Sequence, residues 1–294
     1  MYIGIDLGGS HIGVGIVALS GEIITKMDYS TDNICTGQEI VTKMCEMIKE
    51  LLTQQNMNLS EIEHIGIGSP GIVTNDTIVY SNNLNLRDFN IVEEMKKYLN
   101  KEIFLKNDAK CATIAESLFG SLKGYSNSLL LTIGTGIGGG IILNDKLLIG
   151  SGFSGGEVGH TIIKKDGLKC TCGQKGCFEA YASMRSLKNR VKERLNVEKV
   201  FGRDLPELLF NRKDLSDIVE DYVDCLSTGI ANIINICDPE MVVLGGSIIY
   251  YEKIFLNQIN KLVNEKVYNT FKTYPVNLAI LGNDAGIIGA AQKV

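Results

Sequence analysis

The chain has 294 residues, of which 45% are hydrophobic and 21% charged, a balance typical of a globular protein with a sizeable core. Because its net charge is -5 and it carries no long basic run, neither nucleic acid nor an anionic membrane is expected as a partner. No apolar stretch approaches the roughly 20 residues of a membrane span and no signal peptide is recognisable, so a cytoplasmic protein is predicted.

The first half of the chain predicts alternating strands and helices. Two short β-branched runs bracket a glycine turn at 7–11 and predict a hairpin, which residues 21–29 continue as a third strand. Apolar residues spaced three and four apart predict an amphipathic helix over 38–55. The remaining elements predicted in this half are strands at 64–71 and 102–108 and a helix at 109–120.

The second half repeats the opening pattern and then becomes largely helical. Residues 128–149 predict two strands joined by a glycine loop, with Asn144-Asp145 as the next turn. The repeated order of strand, glycine turn and strand suits two related lobes with a boundary near 110–125, and so an α/β fold. The remaining predictions are helices at 178–195, 204–211, 214–237 and 251–267, strands at 241–246 and 276–281, and a last helix from 285.

Two glycine loops are candidates for phosphate binding. Residues 134–139, GTGIGG, match the dinucleotide fingerprint, but a strand follows where that site needs a helix. Residues 6–10, DLGGS, have the same strand-turn-strand setting and add Asp6, whose carboxylate could hold Mg²⁺. Backbone N–H groups in such turns can line an anion site, although each loop alone is equally compatible with a plain hairpin. Gly245-Gly246, after a strand, would let an adenine ring lie against the backbone.

Asp108 stands where a predicted strand ends and a helix begins. Local sequence alone favours a helix cap, because aspartate is common at that position. The alternative is a general base that takes a proton from a substrate hydroxyl, with Asn107 beside it as a positioning group. The two roles compete for the same carboxylate oxygens.

Three cysteines and one histidine lie within residues 159–177. In a reducing compartment, cysteines are expected to be thiols or metal ligands rather than disulfides. The spacing C-x-C-x4-C of Cys170, Cys172 and Cys177 is not that of a redox pair, which is normally C-x-x-C. With His160 they make a Cys₃His set, typical of a closed structural Zn²⁺ site. The cysteines expected to be scattered buried thiols are Cys35, Cys45, Cys111, Cys225 and Cys237.

Two glutamates flank this cluster. Glu157 lies three residues before His160, and Glu179 lies two residues after Cys177. If a metal fixes the segment between them, both carboxylates could face one cavity, where carboxylates and hydroxyls together suit a sugar. Each glutamate alone is also compatible with a solvated surface charge.

Taken together, these motifs resemble the ROK family of bacterial sugar kinases and repressors, from residue 3 to about 290. The most specific is CTCGQKGCFE at 170–179, which is similar to the family signature C-x-C-G-x-x-G-C-x-E. GGEVGH at 155–160, DLGGS at 6–10 and GTGIGGG at 134–140 match other family motifs, and SPGIV, NNL, ND and LGG follow in the family's order. The chain departs from the family at Ser10-His11, where Thr with Lys or Asn is usual, at Leu86, near a frequent Trp, and at Lys110, where another Asn is usual.

The resemblance implies a two-lobed actin-like ATPase fold of the ribonuclease H-like class, with a cleft between the lobes. The lobes are predicted at 1–118, with the C-terminal helix 285–294 as a candidate addition, and at 119–284, which includes a zinc loop at 160–177. A homodimer or homotetramer is also implied. The activity implied is that of an ATP-dependent hexose kinase, with Asp108 as the base that activates the sugar's 6-hydroxyl.

The resemblance assigns three sets of residues. The sugar pocket would be lined by Gly71, Asn83, Asn107, Asp108, Glu157, His160 and Glu179. ATP and Mg²⁺ would be bound by Asp6, Gly8, Gly9, Ser10, Gly134, Thr135, Gly136, Gly138, Gly245 and Gly246. Structural Zn²⁺ would be held by His160, Cys170, Cys172 and Cys177.

Several alternatives stay open. Glucose is the favoured sugar and N-acetylmannosamine the next, and nothing in the sequence separates ATP from polyphosphate as the donor. A sugar-responsive repressor of the same family would need a DNA-binding segment, for which the early position of Asp6 leaves no room. A non-catalytic sugar- or zinc-binding module is disfavoured because Asp108 and both glycine loops are retained.

Overall fold

The computed structural model describes residues 1–31 and 36–293. Their contacts divide the chain into two compact units. The first unit comprises the described residues within Met1–Lys123, Ile149–Gly155 and Asn283–Val294, and the second comprises Gly124–Leu148 and Gly156–Gly282. The predicted lobe boundaries stay a prediction. Across residues 1–31 and 36–293, no helix is both long and apolar enough to cross a membrane.

The first unit contains strands and helices in alternation. In chain order they are β1 (Tyr2–Leu7), β2 (His11–Val17), β3 (Ile23–Ser30), α1 (Gly37–Gln54), β4 (His64–Ser69), β5 (Ile72–Val73), β6 (Ile78–Ser81), β7 (Leu86–Phe89), α2 (Ile91–Lys96), β8 (Glu102–Asn107) and α3 (Asp108–Phe119).

The second unit follows, and the chain then returns to the first. The second unit's elements are β9 (Ser128–Ile133), β10 (Ile137–Leu143), β11 (Lys146–Leu147), α4 (Phe178–Ala182), α5 (Met184–Leu195), α6 (Leu205–Asn211), α7 (Ser216–Cys237), β12 (Met241–Gly245), α8 (Glu252–Lys266) and β13 (Val276–Leu278). The last helix, α9 (Ala285–Ala290), belongs to the first unit.

Each unit is built on a five-stranded sheet with the same strand order. The first sheet runs β3-β2-β1-β4-β8 and the second β11-β10-β9-β12-β13. In both, the first three strands along the chain form an antiparallel meander, and the other two join the sheet in parallel. The glycine turns β1–β2 and β9–β10 therefore occupy equivalent places, as the repeated sequence pattern predicts.

The helix α1 forms as its periodicity predicts. All six of its predicted apolar positions are buried, namely Ile40, Val41, Met44, Met47, Ile48 and Leu51. Thr36 begins the helix with a capping box, in which its side chain accepts the Glu39 N–H and the Glu39 side chain accepts the Thr36 N–H.

Glycines in the first sheet let α9 lie directly on the strands. A Cβ atom on Gly4 of β1 would lie 1.9 Å from the Ile287 carbonyl oxygen, and one on Gly66 of β4 would lie 1.8 Å from that of Ala290. No side chain fits at such distances, so these two glycines are required for the helix to pack there.

One detail of the prediction is wrong, and some short elements, α2 among them, were not predicted. The helix predicted at 178–195 is interrupted at Ser183, whose extended backbone ends α4 and whose side chain accepts the Ser186 N–H to begin α5. The three-stranded sheet β5-β6-β7 was not predicted, because its strands are only two to four residues long.

Candidate active site

The turn between β1 and β2 places Asp6 beside a set of polar groups. The Gly8 N–H donates to the His11 carbonyl at 2.8 Å and closes the turn, which leaves Gly9 and Ser10 exposed. Burial raises the pKa of Asp6 to about 6, and the nearby charge of Asp108 adds to the rise. Because the charges of the two acids repel each other, Asp6 suits a hard cation such as Mg²⁺.

His11 acts in the opposite direction on Asp6. Its Nε2 lies 3.9 Å from Asp6 Oδ2, and the charge of the ring lowers the pKa of Asp6. At His11, where the chain departs from the family pattern, the histidine side chain therefore contacts Asp6.

Asn107, rather than Asp108, caps α3. The Asn107 Oδ1 accepts the Lys110 N–H at 3.2 Å, and its Nδ2 donates to the Gly71 carbonyl at 3.2 Å. The preference of local sequence for Asp108 as the cap is therefore wrong, because the neighbouring asparagine takes that role.

Asp108 keeps acceptor capacity for a ligand. Its Oδ1 accepts the Ala109 N–H at 2.7 Å, and a carboxylate offers about four lone-pair sites. Burial raises the pKa of Asp108, which the Ala109 bond partly opposes. A half-buried carboxylate with a raised pKa at the start of a helix has the properties of a general base.

Gly71 and Asn83 lie on loops of the same unit. Gly71 has φ +97°, and a Cβ there would lie 2.2 Å from the Tyr80 carbonyl oxygen, so glycine alone fits. Asn83 packs on the first glycine turn, since a Cβ on Gly9 would lie 3.1 Å from the Asn83 Cβ. Lys110, another departure from the family pattern, is buried, and its Nζ donates to the Phe153 carbonyl at 2.6 Å, which ties residues 149–155 to α3.

The turn between β9 and β10 meets the glycine pair Gly245-Gly246 at the end of β12. The Gly134 N–H donates to the Gly136 carbonyl at 2.9 Å, and Gly246, with φ +76°, packs against Ile133 at the end of β9. The structure thus brings these two predicted nucleotide-binding segments together. Gly245 is the last residue of β12.

Thr135 and Gly138 differ in their placement. Thr135 is exposed at the tip of the turn, whereas Gly138 lies within β10, opposite Thr132. Gly138 is therefore outside the turn itself, because β10 begins at Ile137.

Glu179 is held from two sides. Its Oε2 accepts the Ile137 N–H at 3.0 Å, and its Oε1 accepts the Thr171 hydroxyl at 2.9 Å. Arg185 Nη2 lies 3.5 Å from the same Oε1. Sequence reasoning missed Thr171 and Arg185, and only the position of Thr171 inside the C-x-C motif hinted at a role.

The structure gathers His160, Cys170, Cys172 and Cys177. Their ligand atoms all lie within 4.8 Å of one another, with Cys172 Sγ 3.7 Å from Cys177 Sγ and Cys170 Sγ 3.8 Å from His160 Nδ1. Tetrahedral Zn–S bonds of about 2.3 Å place sulfur atoms about 3.8 Å apart, so this donor set fits Zn²⁺. Burial and the other sulfurs raise the pKa of Cys177 to about 12, and a cation would reverse this.

The remaining predicted residues are Glu157 and the cysteines outside the Cys/His cluster. Glu157 is half-buried and begins the turn Val158–His160, in which the His160 N–H donates to the Glu157 carbonyl at 3.2 Å. Every described cysteine is a free thiol, and Cys237 is only half-buried. Cys35 lies outside the described residues.

Comparison with known proteins gives one consistent family. The ROK family profile matches residues 2–294. A glucokinase from Thermotoga maritima is 32% identical, over 99% of this chain and 96% of its own. A xylose repressor from Bacillus spizizenii is also 32% identical, over 99% of this chain and 76% of its own.

The fold agrees with a solved structure. A ROK family glucokinase from Streptomyces griseus, in complex with glucose and AMPPNP, superimposes with a TM-score of 0.86 at 28% identity, covering 99% of this chain and 97% of that one. The predicted fold class, an α/β fold of the two-lobed actin-like ATPase kind, is thereby confirmed.

Proposed function

Because the chain belongs to the ROK family, we propose that it is an ATP-dependent hexose kinase that phosphorylates the 6-hydroxyl of glucose. The observation that supports the proposal is that Asp108 lies in the same unit as Asp6, near enough for its charge to raise the pKa of Asp6. In this proposal Asp6 would meet the cation and Asp108 would take the proton. The glucokinase relatives and the complex with glucose and AMPPNP support this sugar and this class of donor.

In the proposed reaction Asp108 removes the proton from the sugar's 6-hydroxyl. A lone pair of the sugar's 6-oxygen then attacks the γ-phosphorus of ATP. The bond between the γ-phosphorus and the oxygen that bridges it to the β-phosphorus breaks, and ADP leaves. The raised pKa of Asp108 favours this step, because a base works best when its pKa approaches the working pH. Asn107, fixed by its bonds to Lys110 and Gly71, keeps the base at the start of α3.

Phosphate binding falls to backbone groups and Asp6. The exposed Gly9 and Ser10 of the first turn, and Thr135 of the second, would present N–H groups to the phosphates of ATP. When bound, Mg²⁺ neutralises phosphate charge, and Asp6 is the residue that would hold it or its waters. The predicted sugar-pocket residues Gly71, Asn83, Asn107, Glu157, His160 and Glu179 stay predictions.

We further propose that His160, Cys170, Cys172 and Cys177 hold a structural Zn²⁺. All four positions of a tetrahedral ion are then filled by the protein, which leaves none for a substrate. Phe178, the first residue of α4, follows Cys177 directly, so the ion would fix the start of that helix. Elemental analysis of the purified protein should find about one zinc per chain, and its absence would exclude the site.

A repressor is the second candidate, because the xylose repressor matches this chain at the same identity as the glucokinase. The test is an ADP-release assay with Mg²⁺ and a panel of glucose, mannose, fructose, N-acetylmannosamine and xylose. ATP and polyphosphate should be compared as donors, with sugar phosphate measured directly for polyphosphate. The kinase proposal predicts glucose-dependent turnover. If no sugar raises turnover with either donor, the proposal is excluded, and sugar-dependent DNA binding would then favour the repressor.

A further inference from the structure

We infer that Glu179 is a positioning residue through which the metal loop, defined as residues 160–177, holds the second glycine turn, residues 134–136, in shape. The inference rests on the proposed function for its link to nucleotide binding. Its basis is that each oxygen of one carboxylate bonds a different segment: Oε2 accepts the Ile137 N–H, and Oε1 accepts the Thr171 hydroxyl.

The glycine turn is shaped to admit this carboxylate. A Cβ on Gly136 would lie 2.3 Å from Glu179 Oε2, so only glycine leaves room for it. Ile137 is the residue directly after the turn and the first of β10, so its N–H fixes where the turn ends. Glu179 itself is 8% exposed, and hydrogen bonds to a buried carboxylate are among the stronger ones in proteins.

The other oxygen depends on the metal loop. Thr171 lies between two of the proposed zinc ligands, and Cys170 Sγ is 3.8 Å from Oε1. Arg185 Nη2 lies 3.5 Å from Glu179 Oε1. The Arg185 side chain borders an open cavity of about 320 Å³ that Thr171 and Glu179 also line. Solvent therefore reaches this side of the carboxylate, and the Thr171 bond persists only while the metal loop keeps its shape.

The consequence is a coupling between two sites. Loss of the metal would break the hydrogen bond from the Thr171 hydroxyl to Glu179. The Glu179 side chain could then move, and its bond from the Ile137 N–H would weaken. A loosened turn must be ordered again when phosphates bind, and that ordering weakens binding. Carboxylates that orient a metal site from outside its ligand set are common, and here the same carboxylate also reaches the glycine turn.

Hydrogen exchange of peptide 134–140 in the full chain, loaded with zinc and free of nucleotide and sugar, tests the coupling. Glu179→Ala should raise exchange at Ile137 about tenfold, and Thr171→Val by a smaller factor. Thr228→Val, whose hydroxyl bonds the Asp224 carbonyl within α7, is the matched control and should change nothing in this peptide. Zinc content should stay at one per chain in all three variants.

Metal removal gives the decisive comparison. Chelation should raise exchange at Ile137 in the wild type but add little in Glu179→Ala, because the connection is already broken. Wild-type exchange in Glu179→Ala would overturn the inference, as would an equal effect of chelation in both proteins.

Nucleotide binding separates this inference from the proposed function. Without sugar, the Kd for Mg²⁺-ADP should rise about fivefold in Glu179→Ala. A wild-type protein that binds no ADP would refute the kinase proposal, while hydrogen exchange still decides the coupling. An unchanged Kd beside a loosened turn would overturn the link between the metal loop and nucleotide binding.

Discussion

Replacing Asp6 by asparagine should stabilise the protein while it removes activity. The side chain is 21% exposed, and burial raises the pKa of Asp6 from its ordinary 3.8 to about 6. A carboxyl whose pKa is raised in the folded state contributes stability that is complete below 3.8 and lost as the pH rises through about 6. Above that range the charged form costs stability, and asparagine keeps the shape without the charge.

The size of the effect follows from the pKa. The difference between 3.8 and about 6, at about 1.4 kcal/mol per pH unit, gives up to about 3 kcal/mol at pH 7.5. The same relation gives about half of that at pH 5, because Asp6 is then mostly protonated in the folded protein and mostly charged in the unfolded chain. The melting temperature of Asp6→Asn should therefore exceed that of the wild type by roughly 5–10 °C at pH 7.5.

Calorimetry at both pH values, without Mg²⁺ or nucleotide, measures this directly. Glu220→Gln removes the same charge from an exposed position on α7, in the other unit, and should shift the melting temperature little. An Asp6→Asn protein that is no more stable than the wild type at pH 7.5, or equally stabilised at pH 5, would refute the reasoning.

Three further changes have defined outcomes. Cys172→Ser should lower zinc content, melting temperature and activity together, and full activity in zinc-free protein would contradict a structural metal. Gly136→Ala should displace Glu179, because the added Cβ would lie 2.3 Å from Glu179 Oε2, and it should therefore raise the KM for ATP. An unchanged KM would show that this close contact does not affect ATP binding. Lys110→Met removes the donor to the Phe153 carbonyl and should speed limited proteolysis within 149–155, so unchanged cleavage would show that the bond does not hold that segment.

The regular parts of the fold could be predicted because their signals are local. The apolar spacing of α1 and the glycine turns before β2 and β10 each lie within one stretch of chain. The grouping of His160 with the cysteines follows from spacing alone, because all four lie within eighteen residues and a tetrahedral ion demands all four.

Other features have no local signal. Ser183 interrupts a stretch whose apolar pattern continues on both sides, so the sequence of α4 and α5 reads as that of a single helix. Asn107 and Asp108 are both good caps, and only the folded backbone shows which one takes the role. The bond from the Ile137 N–H to Glu179 joins residues 42 positions apart, so only the fold brings them together.

The most direct test of the proposed function is Asp108→Asn, measured for both catalysis and glucose binding. Asparagine keeps the shape of the side chain but cannot take the proton, so ADP release with glucose should fall by at least about 10²-fold. Calorimetric titration should show glucose binding within a few-fold of the wild type. A variant that still forms glucose 6-phosphate at the wild-type rate would contradict the role of Asp108 as the base.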